Sequence, residues 1–282
     1  MDPDEAEART SGHAAQDGQD GQDGQDGQDG QERKRGMKVV ILGGTKGMGR
    51  SVARQMIARG DAVALLGRNL EEVQRSAADL EIRAGDGRKV AAIECDLSAP
   101  EGFDAALEQA DTALQGFDTV VVTAGLFGTQ AQLEDDTMQA IELLRVNFAH
   151  TVGFCEAARK RLATRGGGTL CVFSSVAGDR GRKPVVLYGA SKAGLSAYLE
   201  GLDHKFRAEG LRTVCVKPGF VKTGMTAGLT PPPFAGEADE VARRVIKAID
   251  RGTPVVYAPG IWRWVMFVIA RLPRFVMRRI GF

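Results

Sequence analysis

The stretch Tyr188-Gly189-Ala190-Ser191-Lys192 carries the pairing with the most chemistry in this 282-residue chain. Residues four apart on a helix share a face, so a phenol and an ammonium would stand side by side. A free phenol, with a pKa of about 10, exchanges protons sluggishly at neutral pH. A neighbouring cation favours the phenolate, and a shift of about three units corresponds to roughly 4 kcal/mol of differential stabilisation. The pair predicts proton transfer, with Tyr188 as donor and Lys192 as its activator. Alone it would be an unremarked Tyr and Lys on a helix, so the rest of the chain decides its meaning.

A second constellation, Gly43-Gly44-Thr45-Lys46-Gly47-Met48-Gly49, joins an apolar run to a helix-periodic stretch. Glycines at 43, 47 and 49 permit a tight turn, close approach of backbone to a pyrophosphate, and packing of helix on strand; the helix N-terminus attracts phosphates. A dinucleotide site is predicted there, including Thr45 and Met48. Further on, Leu65-Leu66-Gly67-Arg68-Asn69 places an arginine where NAD-binding chains usually carry a carboxylate for the ribose 2′-hydroxyl. A guanidinium suits a 2′-phosphate instead, and Lys46 would add a second positive charge, so the expected cofactor is NADPH/NADP+. Both residues are otherwise ordinary exposed cations. Asp96, followed by Leu97, is either an acceptor for the adenine amino group or a cap and loop residue. Ala124 and Gly125 are small enough to leave the cofactor room.

The elements that must position these groups follow from the alternation of short β-branched runs with longer helical patterns, which predicts βαβ units. Strands are expected near 38–42, 62–66, 89–94, 118–122, 169–174, 212–216 and 254–257, and helices over 47–59, 70–84, 101–114, 132–163, 186–209 and 237–251. The strands are nearly continuously apolar, as when helices cover both faces of a parallel sheet. The expected fold is α/β: a doubly wound parallel (Rossmann) sheet of about seven strands, spanning residues 37–259.

With these pieces in order, the chain from about residue 37 resembles the short-chain dehydrogenase/reductase family. The resemblance rests on the Gly43/Gly47/Gly49 turn, Val146-Asn147-Phe148, Ser174-Ser175-Val176-Ala177-Gly178, the Tyr188–Lys192 stretch, and Pro218-Gly219-Phe220-Val221-Lys222-Thr223. It implies that Ser175 polarises a substrate carbonyl and that Asn147 positions a water in a proton relay through Lys192. Lys192 would also hold the nicotinamide ribose, and Pro218, Gly219, Val221 and Thr223 the nicotinamide carboxamide. Hydride would pass to a ketone carbon while Tyr188 protonates the alkoxide. Homo-oligomers built on the helices near 132–163 and 186–209 are also implied. The family usually has two asparagines where Val122 and Thr123 stand here, which puts the local hydrogen bonding in question, and Leu42 replaces a common threonine.

Residues 260–282 hold Trp262, Trp264, Met266 and Phe267, then Arg271, Arg274, Arg278 and Arg279, with no acidic residue. Arg271, Arg274 and Arg278 would share a helical face, which suits peripheral contact with an anionic membrane; Pro273 would break or kink the helix. The alternative is a helix packed on the domain or across an oligomer interface. A narrower resemblance, to polyprenyl-phosphoryl 2-keto-pentose reductases, rests on Val256-Tyr257-Ala258-Pro259, Arg263-Trp264-Val265-Met266, Leu272-Pro273-Arg274, Ser174–Arg180 and Val221–Ala227. It implies a lipid-linked keto-sugar substrate, produced by a flavoprotein oxidase, in the epimerisation of a 2-keto-pentose to an arabinose. The rivals are a 3-ketoacyl or ketosphingoid lipid reductase, and a non-catalytic NADP-binding sensor or scaffold.

Composition bounds the remaining classes. With 43% hydrophobic residues, 26% charged residues and a net charge of +1, the chain has a globular balance and no global attraction to nucleic acid. Cys95, Cys155, Cys171 and Cys215 lie in apolar runs without CxxC spacing and read as core residues, not metal ligands. Residues 1–36, with five Gln-Asp-Gly triplets from Gln16 to Gly30, predict a disordered acidic tail, the functional alternative being a tether or a metal-binding acidic tail. Met37, just before the first strand, is an alternative start. Without an apolar signal segment the expected location is cytoplasmic, including the inner membrane face.

Overall fold

The structure, a computed structural model, describes residues 36–281, so the expectations for the Gln-Asp-Gly tail lie outside the described residues. Among the described residues there are nine strands and ten α-helices, beginning with β1 Lys38–Leu42, α1 Gly47–Ala58, β2 Ala62–Gly67, α2 Leu70–Ala84, β3 Ala91–Glu94, α3 Phe103–Leu114 and β4 Thr119–Val122. There follow α4 Gln130–Asp135, α5 Thr137–Leu144, α6 Thr151–Ala163, β5 Gly168–Phe173, α7 Val186–Phe206 and β6 Leu211–Pro218. The last group is β7 Val221–Lys222, β8 Gly236–Glu237, α8 Ala238–Arg251, β9 Val255–Ala258, α9 Trp262–Arg271 and α10 Arg274–Arg279.

Seven strands form one parallel sheet in the order β3-β2-β1-β4-β5-β6-β9. Side chains alternate between the faces along each strand. Val40 and Leu42 of β1 therefore join the core under α3, α6 and α7, while Val39 and Ile41 join the core under α1, α2 and α8. All are almost completely buried, each burial stabilising by roughly 1.5–3 kcal/mol. The four cysteines lie in these two cores as expected, and burial pushes all four thiols well above their ordinary range. The strand order reverses between β1 and β4, which opens a crevice at their C-terminal ends.

One long helix was expected over 132–163, but the chain is divided there. A capping box between Thr129 and Gln132 starts α4, and Asp136, in extended conformation, accepts from the Met138 and Gln139 amides to start α5. A π-helical turn over Arg145–His150 then joins α5 to α6, and the Thr151 hydroxyl donates to the Val146 carbonyl at 2.7 Å. Such turns rotate side chains off the α-helical register and recur at functional sites; this one carries Asn147. The sequence reading also did not contain the short β7–β8 pair, a separate two-stranded sheet that closes the loop over 223–235.

The C-terminal segment packs on the domain, as one of the two readings had it. Met266 and Ile269 of α9 are buried against Val176, with Tyr257 and Met277 beside them. The continuous arginine face does not form. Leu272 and Pro273 are extended, so α9 stops and α10 starts on a new axis. Arg271 stacks on Phe267 at 3.6 Å, while Arg274 and Arg278 turn toward Arg180 and Lys183. No helix among the described residues is long and apolar enough to cross a membrane.

Candidate active site

Tyr188 stands in the first turn of α7 and Lys192 one turn on, with the serine-bearing turn pressed against them. That approach requires Gly178: a Cβ there would lie 2.7 Å from the backbone of Lys192 and Ala193. Ser174 and Ser175 leave β5 on opposite sides. Ser174 is buried and donates to the Lys192 carbonyl at 2.9 Å, so it fastens β5 to α7. Ser175 accepts from the Ala177 amide at 3.1 Å, capping a short turn, its hydroxyl donates to the Pro218 carbonyl at 3.5 Å, and it lies close enough to Tyr188 to favour the phenolate. Ser175 and Tyr188 line one cavity of about 520 Å³ together with Pro218, Gly219, Val221 and Thr223.

The electrostatics of the pair differ from the sequence expectation. Burial pushes the Tyr188 phenol up to about 12, and the Ser175 hydrogen bond offsets this only in part. Burial drives Lys192 down to about 8. Its ammonium donates to the Phe173 carbonyl at 2.9 Å and lies 5.8 Å from the centre of the Tyr188 ring. Desolvation therefore dominates, and the phenol keeps its proton at neutral pH.

Asn147 is fully buried, and its side-chain amide is committed: Oδ1 accepts from the Leu126 amide at 2.7 Å and Nδ2 donates to the Leu126 carbonyl at 2.8 Å. The asparagine thus clamps the loop after β4 beside Lys192, with Gly125 between them.

From this cavity a groove runs along the strand ends. An adjoining space of about 260 Å³ is bordered by Gly43, Lys46, Gly47, Met48, Gly49, Ala124 and Gly125, and shares Met48 and Thr223 with the first. Beyond it a third space, of about 220 Å³, is bordered by Thr45, Arg68, Asp96 and Leu97. The groove passes over the N-terminus of α1, which has no side-chain cap and no acidic residue in its first turn. Those amide donors and their dipole suit a pyrophosphate. Gly47 has φ +53° and borders the groove, where a Cβ would meet the Thr223 side chain at 3.4 Å, whereas Gly43, with φ +94°, and Gly49 are required by packing. A Cβ on either would come within 2.7 Å of the Thr123 hydroxyl. That hydroxyl lies 2.9 Å from the Gly43 carbonyl and donates to the glycine turn. Thr123 thereby supplies the cross-strand hydrogen bonding that the absent asparagines had put in question.

Two cofactor-end expectations are refined. Lys46 is not a free cation: its ammonium meets Glu72 at 2.8 Å, and this hydrogen bond holds the Glu72 carboxyl below its usual range. The pair is exposed, so exchanging it for another anion costs little. Asp96 accepts from the Ser98 amide at 2.9 Å, the loop role, while also bordering the groove.

Several wall residues escaped the sequence reading. Phe127 meets the Tyr188 ring edge-on at 5.4 Å, and Met225 and Leu229 reach the cavity from the β7–β8 loop. Trp262 closes the far wall; a Cβ on Gly219 would lie 2.1 Å from its indole nitrogen, so glycine there is what lets the ring in. The sequence placed this tryptophan on a membrane-facing or domain-packed segment and not in the pocket, because nothing in linear spacing connects it with position 219. Arg182 also borders the cavity.

A crevice at the sheet's switch point, a phosphate-compatible helix terminus and a Ser/Tyr/Lys cluster define a dinucleotide-dependent oxidoreductase site. The short chain dehydrogenase family matches residues 37–233, and the chain belongs to that family. It is 33% identical over 242 residues to an uncharacterized oxidoreductase of Mycobacterium tuberculosis, covering 86% of this chain and 96% of the relative. It is 34% identical over 250 residues to one of Streptomyces coelicolor, covering 86% and 95%. Carbonyl reductase family member 4 of Xenopus laevis is 30% identical, covering 73% and 88%. Among solved structures, a short-chain type dehydrogenase/reductase from Mycobacterium ulcerans overlays with a TM-score of 0.71 at 21% identity, covering 78% and 86%, a likeness of fold. The chain is thus an oxidoreductase acting on CH-OH or ketone groups with a nicotinamide cofactor.

Proposed function

We propose that this protein is an NADPH-dependent ketone reductase whose proton donor is Tyr188. The observation that carries the reading is the placement of Tyr188 beside Ser175 in a cavity that opens directly into the groove over α1. Nicotinamide, when bound, supplies the hydride. Ser175 donates a hydrogen bond to the ketone oxygen, and Tyr188 gives its proton to that oxygen as negative charge develops. Lys192 holds the cofactor ribose and returns a proton toward Tyr188, and Asn147, its side-chain amide committed to Leu126, borders the water relay that feeds Lys192. Arg68 takes the 2′-phosphate, and Lys46 exchanges Glu72 for it.

For the substrate we favour a lipid-linked keto-sugar delivered by a flavoprotein oxidase, in keeping with the narrower resemblance. Trp264, Phe267, Val268 and Phe275 are all half-exposed or more, among arginines, and this surface suits peripheral contact with an anionic bilayer on the cytoplasmic side. The apolar walls contributed by Phe127, Leu229 and Trp262 also favour a second reading, a 3-ketoacyl lipid reductase, which the name of the matching 3-oxoacyl-[acyl-carrier-protein] reductase of Bos taurus accompanies. NADPH oxidation measured against lipid-linked keto-sugars and 3-ketoacyl thioesters decides between them; turnover of neither class removes both. The protomers are expected to associate through the α4–α6 and α7 helices.

Two expectations arise from this geometry. In the pH profile of kcat/KM for NADPH, which reports the free enzyme, activity should fall above about pH 8 as Lys192 loses its proton. A flat profile to pH 10 would contradict the role. Stability moves oppositely: with the Lys192 pKa at about 8 when folded and 10.5 as the ordinary value, the unfolded chain binds more protons between them. This group's contribution to stability therefore rises with pH across that window. Secondly, Trp262→Ala should raise KM for the ketone about tenfold with NADPH binding unchanged, because it removes a cavity wall and no cofactor contact. An unaltered ketone KM would dismiss Trp262 from the pocket.

A further inference from the structure

A second cavity, of about 530 Å³, lies between the turn after Ser175 and α10, and Arg180, Arg182, Lys183, Arg274 and Arg278 border it. No carboxylate borders it, and among the described residues none of these five cations belongs to an ion pair. The nearest acidic group, Asp179, is already held by Lys217 at 2.6 Å and by the Tyr257 hydroxyl at 2.9 Å. Two of the cations brace the cavity: Arg180 donates to the Leu272 carbonyl at 2.9 Å and Lys183 to the Arg278 carbonyl at 2.7 Å. None of the five has a carboxylate within salt-bridge distance, and Asp179 acts on Arg182 only through space.

Arg182 distinguishes this cluster from an ordinary basic surface. Its Nε is buried and has no hydrogen-bond partner. A buried donor without an acceptor is costly, and more so on a charged group; burial accordingly lowers the guanidinium's pKa below its ordinary value. The same side chain also borders the cavity of Ser175 and Tyr188, so the two spaces meet at Arg182.

We propose that the basic cavity is a subsite for a phosphate-class anion, which the Arg182 guanidinium binds where the two cavities meet and which Lys183, Arg274 and Arg278 neutralise from the rim. A phosphate monoester or diester offers the fork of oxygens a guanidinium binds best. Resting on the reading that the Tyr188 cavity takes the ketone, the subsite selects substrates carrying phosphate next to the part that is reduced. The same chemistry would accept the phosphate of a bilayer headgroup.

The full-length protein, saturated with NADP+ to fill the cofactor's own phosphate sites, is titrated calorimetrically with hexyl phosphate and with hexanol. Hexyl phosphate should bind saturably and hexanol should not. Arg182→Gln should weaken hexyl phosphate about tenfold, as should Arg274→Gln on the exposed rim, where folding is not at stake. No saturable binding by the unaltered protein, or binding by Arg274→Gln and Arg182→Gln as tight as that of the unaltered protein, overturns the subsite. Sedimentation with phosphatidylcholine vesicles containing phosphatidylglycerol identifies the source. If Arg274→Gln leaves vesicle binding intact while losing hexyl phosphate, the anion is the substrate's; loss of both assigns it to the headgroup. Because the titration needs no turnover, inactivity toward every ketone would sink the reductase reading and leave this result standing.

Discussion

Tyr188→Phe should lower kcat for NADPH-driven ketone reduction by about a thousandfold, within the range that general acids contribute, and leave NADPH affinity within about twofold. The substitution removes one hydroxyl from a half-buried ring that keeps its edge-on contact with Phe127, so the fold has no reason to change. The sign of the pKa shift bears on direction. With the phenol pushed up to about 12, Tyr188 carries its proton throughout the neutral range and is ready to donate. The reverse oxidation needs the phenolate, and should accelerate with rising pH until Lys192 loses its charge. Stopped-flow measurement of NADPH oxidation by Tyr188→Phe checks the first claim; a variant retaining a tenth of the activity would remove Tyr188 from the chemistry.

The second large effect concerns cofactor choice. Arg68→Asp should shift the ratio of NADPH to NADH affinity about a hundredfold toward NADH. It withdraws a charge-assisted contact from the 2′-phosphate, sets a like charge against it, and restores an acceptor for a 2′-hydroxyl. Glu72→Gln should move the ratio the other way by a few-fold, since it releases Lys46 from its 2.8 Å partner. Fluorescence titration with both dinucleotides reads the two variants together, and an unchanged ratio in Arg68→Asp would place the 2′-phosphate elsewhere.

Much of this was legible in the chain because it is written in local spacing. Alternating apolar runs specify a parallel sheet, and Tyr188 and Lys192 share a helical face whatever surrounds them. What was missed depends on contacts distant in sequence. The proximity of Trp262 to Gly219 depends on a chain reversal after β9. The single helix expected at 132–163 was interrupted by Asp136, whose side chain competes for backbone amides in a stretch of otherwise helical pattern. Lys46 was counted as free because Glu72 is a full helix away in the chain yet adjacent in space. The direction of the tyrosine's shift could not be read from the pair, since it turns on how much water the fold removes. Thr123 shows the converse, where an apparent loss of hydrogen bonding is repaired by a shorter side chain already in reach of the glycine turn.

Trp262 lies beyond residues 37–233, the part shared with the family at large, yet it forms a wall of the cavity that Tyr188 faces. The cofactor groove is completed by strands that come much earlier. Dinucleotide choice and this one wall of the ketone cavity are therefore written in separate stretches of the chain. Exchanging the segment from position 260 onward between relatives would rebuild that wall while leaving the glycine turn and Arg68 as they are.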